Sequence, residues 1–391
     1  MKCIALTLLA IVAMGRCSND AALLLEGNLR LTTKFFSEVA KNNNNDSFVM
    51  SPFSVLTPLA QLVLGSGGGT HNEILTAIGM PNDQSTISAF TELTTRLGSL
   101  EGTVLRLVNR IYVSKKFNLN KHYAAMTDQT LNSEIKSADF SQADKTATEI
   151  NKWVEVQTNN RIKNLIDPKD LSKVVVLLVN SIYFQSTWQN QFSIDSTTSR
   201  DFHVTKNITV KVPMMRQTAT FNFVRSDELK STIIELPYVG NNSALYIILP
   251  NDVDGITQLQ NALNDYSILE KALQNMQTDL IDVQIPRFTI ETKINLKSVL
   301  RNLGVEKVFD PIESDLSKIV DEQSEQLYVG QATQKAFVDV NEKGTAAGAA
   351  NELKIQMSAP LIMNYFVADR PFVFDLRIHN IPIFRGIYTA S

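Results

Sequence analysis

Both cysteines of this chain, Cys3 and Cys17, fall within its first 17 residues. If that segment is removed, no internal disulfide can close, and a chain of 391 residues must hold itself together through its core. Its 44% hydrophobic content permits this, because folding a chain of such size buries about three quarters of the surface exposed when unfolded. The net charge of −3 comes without a long run of Lys or Arg, so no phosphate-tracking surface and no nucleic-acid partner is expected. No repeat, low-complexity tract or Pro/Gly/Ser linker divides the sequence, which favours one large domain over two.

The amino terminus reads as a secretory leader over residues 1–17. Lys2 supplies the positive start, Ile4 to Ala13 is apolar but too short to span a bilayer, and small residues follow. The alternative is a buried first helix. Export would leave residues 18–391 as an extracellular domain with no membrane attachment. It would also give meaning to the Asn-X-Ser/Thr triplets at Asn45, Asn207 and Asn241 as glycan acceptors.

Along the chain, Leu23, Leu24, Leu31, Phe35, Phe36 and Val39 recur at helical spacing until the Asn42 to Asn45 run ends them. Gly65 to Gly69 breaks a second helical stretch, and Thr70 with Glu73 predicts a capping box for a third running toward Ile78. Further helices are predicted near Thr146 to Asn164, Ile256 to Met276 and Asn295 to Leu303. Val174 to Val179, Ile233 to Leu236, Leu245 to Leu249 and Val283 to Ile290 read as strands. A helix-rich first part thus joins a sheet-rich second part in one α+β domain.

Catalytic patterns are missing from the sequence. His71, His122, His203 and His379 stand in unrelated contexts, with no HExxH pattern and no Cys/His cluster, so neither metal nor cofactor is implied. Ser66 follows Gly65 directly and forms no GxSxG elbow, and the glycine run continues into Thr70-His71 where a phosphate loop requires Lys followed by Ser or Thr. The adjacent Lys115 and Lys116 read as a solvated loop in preference to a polyanion site.

The informative stretch runs from Asn341 to Asn351, through Glu342, Lys343, Gly344, Thr345, Ala346, Ala347, Gly348, Ala349 and Ala350. After Lys343 it is made of small residues, which anchor poorly but pass between neighbouring strands without steric cost. Beyond it, polar Glu352, Lys354 and Gln356 alternate with apolar Leu353, Ile355 and Met357, the period of a half-buried strand. Counting back by twos puts Asn351, Ala349, Ala347 and Thr345 on the apolar face. Ala, Glu, Leu and Lys also favour a helix, while Gly344 and Gly348 weaken one, so the pattern alone leaves both open.

Glu342 to Ala347 resembles the proximal hinge of the serpin reactive loop. Similar correspondences extend across nearly all of residues 18–391: Ser51-Pro52-Phe53-Ser54, Asn180 to Phe184, Trp188, Phe192, Phe202 to Val204, Val212 to Met215, Glu235 to Tyr238, Pro286 to Phe288, and Asp369 to Phe372. Ile150 to Val154 with Thr158 to Leu165 resembles lepidopteran haemolymph serpins of the antitrypsin and antichymotrypsin type. The resemblance implies a single domain of about nine helices, three β-sheets and an exposed reactive loop at about 342–364.

By the same resemblance the chain would be a monomeric inhibitor rather than an enzyme. It would be cleaved by an extracellular serine protease, trap it as a covalent acyl-enzyme and insert its hinge as a new strand. A carrier serpin without inhibitory activity is the alternative, which the small, uncharged hinge disfavours. Family spacing from Glu342 puts the reactive bond at Ser358-Ala359, or at Met357-Ser358 if the loop is one residue shorter. Neither bond carries the cation that a trypsin-type pocket binds, so elastase-, chymotrypsin- or subtilisin-like targets are expected. Ser51, Ser54 and Asn180 are assigned to the shutter beneath the central sheet, and Trp188 to its upper end. Gln334 replaces a histidine common in the family, which removes a group that titrates near neutral pH.

Overall fold

The computed structural model describes residues 18–43, 46–98, 100–322, 325–345 and 364–390. The periodic opening segment forms helix α1 (Asn19–Lys41), capped by the Ser18 hydroxyl, which accepts the Ala21 N–H. Strand β1 (Phe48–Met50) leads into α2 (Pro52–Gly65), whose 14 residues are all buried, as expected of a helix apolar on every side. Ser51 caps α2 and Pro52 opens it. Helices α3 (Gly68–Ile78) and α4 (Asp83–Leu97) follow, then β2 (Thr103–Ser114), α5 (Lys121–Leu131), β3 (Ile135–Ala138) and α6 (Ala143–Gln157).

The second part holds β4 (Val176–Thr187), β5 (Thr198–Thr205), β6 (Ile208–Ser226), β7 (Ser231–Pro237) and β8 (Ser243–Pro250). After α7 (Ile256–Ala262) and α8 (Tyr266–Gln274) come β9 (Gln277–Pro286), β10 (Phe288–Asn295), α9 (Leu296–Asn302), β11 (Val329–Asn341) and β12 (Gly344–Thr345). Strands β13 (Asn364–Val367), β14 (Phe372–Ile378) and β15 (Ile381–Tyr388) complete the described chain. The described residues therefore contain nine α-helices, as the family resemblance implied.

The three expected sheets emerge as two hydrogen-bonded networks. One has six strands in the order β10-β11-β12-β4-β2-β3; the other has nine, because the 19-residue β6 serves two groups of strands. Along β6, residues 208–214 pair with β5 and residues 222–226 with β7 on one edge, while β9 pairs with 214–223 on the other. Beneath the six-stranded sheet lies the main core with α2. Over its outer face α6 packs Ala147, Ile150 and Val154 against Leu177, Val179 and Tyr112.

Several sequence expectations are corrected. Val283 to Ile290 is not one strand: Arg287 separates β9 from β10, and the two halves enter different sheets. Ile256 to Met276 is two helices, and the helix beginning near Thr146 stops at Gln157, before Asn159 and Asn160 in left-handed conformation. The helix-rich first part also supplies β2, a 12-residue strand next to β4. The capping box does not form, since α3 begins at Gly68. Thr70 instead accepts the Asp315 N–H, and Glu73 accepts those of Glu306 and Lys307.

A buried ion group ties β14 and β15 to α8. Asp375 accepts from Arg377 at 2.9 Å and from Arg385 at 2.8 Å, and Arg377 also pairs with Glu270 at 2.6 Å.

Candidate functional site

The site begins where β11 ends. β11 turns at Glu342-Lys343 and returns as β12, with Asn341 opposite Gly344 and Val340 opposite Thr345. β12 also pairs with β4, placing Gly344 against Thr187 and Thr345 against Ser186. The first residues of the expected loop thus already lie inside the six-stranded sheet. Gly344 has φ +146°, and a Cβ there would stand 2.2 Å from the Ser186 carbonyl oxygen, so glycine is required by both conformation and space.

Five neighbours fix this hairpin. The turn carbonyls of Lys343 and Glu342 accept the N–H groups of Trp188 and Phe192 at 3.0 and 2.9 Å. Trp188 donates its indole N–H to the Asn341 carbonyl at 2.8 Å and stacks on Tyr238, with ring centroids 4.5 Å apart. The Tyr238 hydroxyl lies 2.7 Å from that of Thr345, and both residues are buried. Burial pushes the Tyr238 hydroxyl far above its ordinary range, so it stays neutral, with the Thr345 bond opposing only part of that shift. Glu342, buried at the turn, accepts from Thr197 at 2.8 Å and faces Arg287 at 3.5 Å.

Below the hairpin, β11 and β4 run parallel and pair directly from Val329↔Val176 up to Ala336↔Ile182. Above Ala336 they separate. Phe337, Val338 and Asp339 pair outward with β10, and Tyr183, Phe184 and Gln185 pair outward with β2. Among the described residues nothing pairs with these two triplets across the seam until β12 is reached. The sheet is therefore closed at the bottom, unpaired for three residues, and occupied by the loop's first residues at the top.

Under the closed part lies a polar network made of Ser51, Ser54, Asn180 and Gln334, all 0% exposed. Gln334 donates its amide N–H groups to the Ser51 carbonyl at 2.8 Å and to Asn180 Oδ1 at 2.7 Å, and its oxygen accepts the Ser51 N–H at 3.1 Å. Asn180 donates to the Ser54 carbonyl at 2.8 Å and to Asn109 Oδ1. Ser51 Oγ donates to the Ile383 carbonyl at 2.6 Å, tying the network to β15. Because Gln334↔Asn180 is a cross-strand pair of the seam, opening the sheet must break their shared bond.

The structure brings together Ser51, Ser54, Asn180 and Gln334, and separately Trp188 with Glu342, Lys343, Gly344 and Thr345. Ala346, Ala347, Gly348, Ala349, Ala350 and both candidate bonds, Ser358-Ala359 and Met357-Ser358, lie outside the described residues. So does Asn45, while Asn207 and Asn241 both sit exposed in turns. The roles of Tyr238, Thr197, Arg287 and Asn109 were not read from the sequence. Tyr238 and Arg287 fall within motifs that carry the resemblance, but only their three-dimensional neighbours reveal what they hold.

Comparison with known proteins agrees with this architecture. A sequence model of the family described as Serpin (serine protease inhibitor) matches residues 26–389. The chain is 41% identical to "Antitrypsin" of Bombyx mori, covering 98% of each chain. It is also 41% identical to "Alaserpin" of Manduca sexta, covering 97% of this chain and 96% of that protein. Among solved structures, Serpin48 of Tenebrio molitor superposes with a TM-score of 0.87 at 30% identity, covering 96% of this chain and 99% of that one. Family match, full-length relatives and shared fold together establish that the chain belongs to the serpin family of serine protease inhibitors.

Proposed function

We propose that this chain is a secreted suicide-substrate inhibitor of serine proteases, forming a one-to-one covalent complex with its target. The observation that carries the reading is the position of Gly344 and Thr345 between β11 and β4. Insertion from this state continues an existing ladder and avoids the cost of starting one.

Continuing the register sets the course of the inserted strand. If Thr345 pairs with Val340 and Ser186, then Ala346, Ala347 and Gly348 meet the two unpaired triplets. Ala349 is the first residue that must displace an existing pair, Ala336↔Ile182. Further down, Asn351 would come to lie between Gln334 and Asn180, and Gln356 would reach Val329 at the start of β11. Thr345 points inward, so Ala347, Ala349, Asn351, Leu353 and Ile355 share its face. Asn351 carries both a donor and an acceptor, which suits it to replace the bond that Gln334 and Asn180 lose.

The chemistry belongs to the target. Its serine oxygen attacks the carbonyl of the residue before the scissile bond, the amine of the following residue leaves with a proton supplied by the protease, and an ester joins the two proteins. Insertion then drags the ester away before water releases it. Ser358-Ala359 or Met357-Ser358 as the bond suits elastase-, chymotrypsin- or subtilisin-like enzymes.

Incubation with each of these enzymes, followed by denaturing electrophoresis, tests the proposal. A complex stable to denaturant, and a higher unfolding temperature once the loop is cleaved, are expected. Clean cleavage with neither would identify a carrier serpin, and mass spectrometry of the released peptide would assign the bond.

A further inference from the structure

The hairpin joining β5 to β6 carries an Asn-X-Thr triplet in a setting unlike that of the second described triplet. Lys206 and Asn207 form the two-residue turn, closed by the pair Thr205↔Ile208. The backbone is held independently of the Asn207 side chain. Thr205 Oγ1 accepts the N–H groups of Asn207 and Ile208 at 3.2 and 3.1 Å, and Asp254 accepts that of Lys206 at 3.1 Å. Asn207 and Thr209 are exposed, and Ile208 between them is 54% exposed, a large apolar side chain at a hairpin tip. The Thr209 hydroxyl lies at the surface, 3.1 Å from His203 Nδ1, whereas in Asn241-Asn242-Ser243 the serine is 5% exposed and its hydroxyl is bonded inside the protein to Thr103.

A second observation concerns the strand beside the turn. Among the described strands, β5 pairs with β6 alone. Beyond that pairing the His203 N–H donates to the Asp369 carbonyl at 2.7 Å, and the first four residues of β5, Thr198 to Asp201, are exposed. A strand paired on one side only, beside an exposed isoleucine at the tip of its hairpin, invites pairing with another chain unless something bulky blocks the approach.

We infer that Asn207 carries an N-linked oligosaccharide that covers Ile208 and shields the end of β5. The inference rests on the secretory reading of residues 1–17, since the transfer takes place in the export pathway. The donor would be a lipid-pyrophosphate-linked oligosaccharide. A bond forms between Asn207 Nδ2 and the anomeric carbon of the first sugar, the bond from that carbon to pyrophosphate oxygen breaks, and the transferase removes one amide proton.

The full chain expressed in insect cells provides the test. In the medium it should run heavier than its sequence mass, and peptide-N-glycosidase should remove the excess and leave aspartate at position 207. Asn207→Gln and Thr209→Val should each lose that increment, and light scattering should show greater self-association than for the glycosylated protein. A secreted chain with unmodified Asn207, or an Asn207→Gln variant that keeps the whole increment, would overturn the site. Unchanged self-association in both variants would overturn the shielding role. Retention in cells with residues 1–17 attached would refute the leader; the same domain behind a leader of proven export then tests Asn207 separately, with the same two outcomes.

Discussion

Gln334 and Asn180 face each other across the seam that an inserting loop would open, and each is held by groups that do not titrate. An inserted Asn351 would renew their bonds, whereas an apolar side chain would leave two buried amides short of partners at about 1–3 kcal/mol each. Asn351→Leu is therefore expected to lower the unfolding temperature of the loop-cleaved form while leaving that of the intact form unchanged. Differential scanning calorimetry of both forms checks this, and equal shifts would show that Asn351 never reaches the seam. Thr345 is the other decisive residue. Thr345→Arg would bring an unpaired cation beside Tyr238, at an effective penalty of several kcal/mol once the protein relaxes, against an idealised desolvation cost of about 20 kcal/mol. A loss of about 3 kcal/mol at the barrier slows insertion roughly 100-fold. The variant should be cleaved as a substrate without trapping the protease, a change visible as the number of inhibitor molecules consumed per enzyme inactivated.

At the level of elements, the hairpin of β11 and β12 decides how much of the loop is already committed. Its return strand is two residues long and depends on Gly344, where a methyl group meets the Ser186 oxygen and the Thr187 backbone, neither of which can yield cheaply. Gly344→Ala is expected to expel β12 and release Thr345 from Tyr238. Trp188, bonded to Asn341 and stacked on Tyr238, should report the change as a shift in fluorescence. The measurement belongs in a Trp153→Phe background, because Trp153 is the other tryptophan, and an unaltered spectrum would mean that β12 tolerates the side chain. Element boundaries were partly legible in the sequence. The periodicity of α1 and the glycines after α2 were read correctly, whereas Thr70 and Glu73 matched a capping pattern but bind the segment from Glu306 to Asp315. A local pattern cannot register a competing partner more than 200 residues away.

Over the whole molecule, the hydrophobic core is joined by the buried ion group around Asp375. Burial alone raises the Asp375 carboxyl, but the charges and hydrogen bonds of Arg385 and Arg377 outweigh it and hold it below its usual range. Its folded value is then lower than its unfolded value of about 3.9, so the stabilisation is present above that pH and is lost as pH falls through the folded value. Acid titration followed by circular dichroism should show stability falling below about pH 4, with Asp375 contributing to the slope. Asp375→Asn leaves two buried arginines without their shared anion and should cost about 3–5 kcal/mol at neutral pH while flattening that acid dependence. An unchanged slope would remove Asp375 from this role.

The sequence by itself determined that the core must bear the load, since its cysteines cannot bridge within residues 18–391, and that one α+β domain is built. Its motifs also identified the family, and its run of small residues marked the segment proposed to enter a sheet. These features are local in the chain or depend on composition, so they survive without coordinates. Only the tertiary structure decided that Gly344 and Thr345 are already seated, that β11 and β4 part above Ala336, and that Gln334 pairs with Asn180 across the seam below. Those facts depend on pairing between strands about 150 residues apart, whose register is set by hydrogen bonds and packing between distant segments.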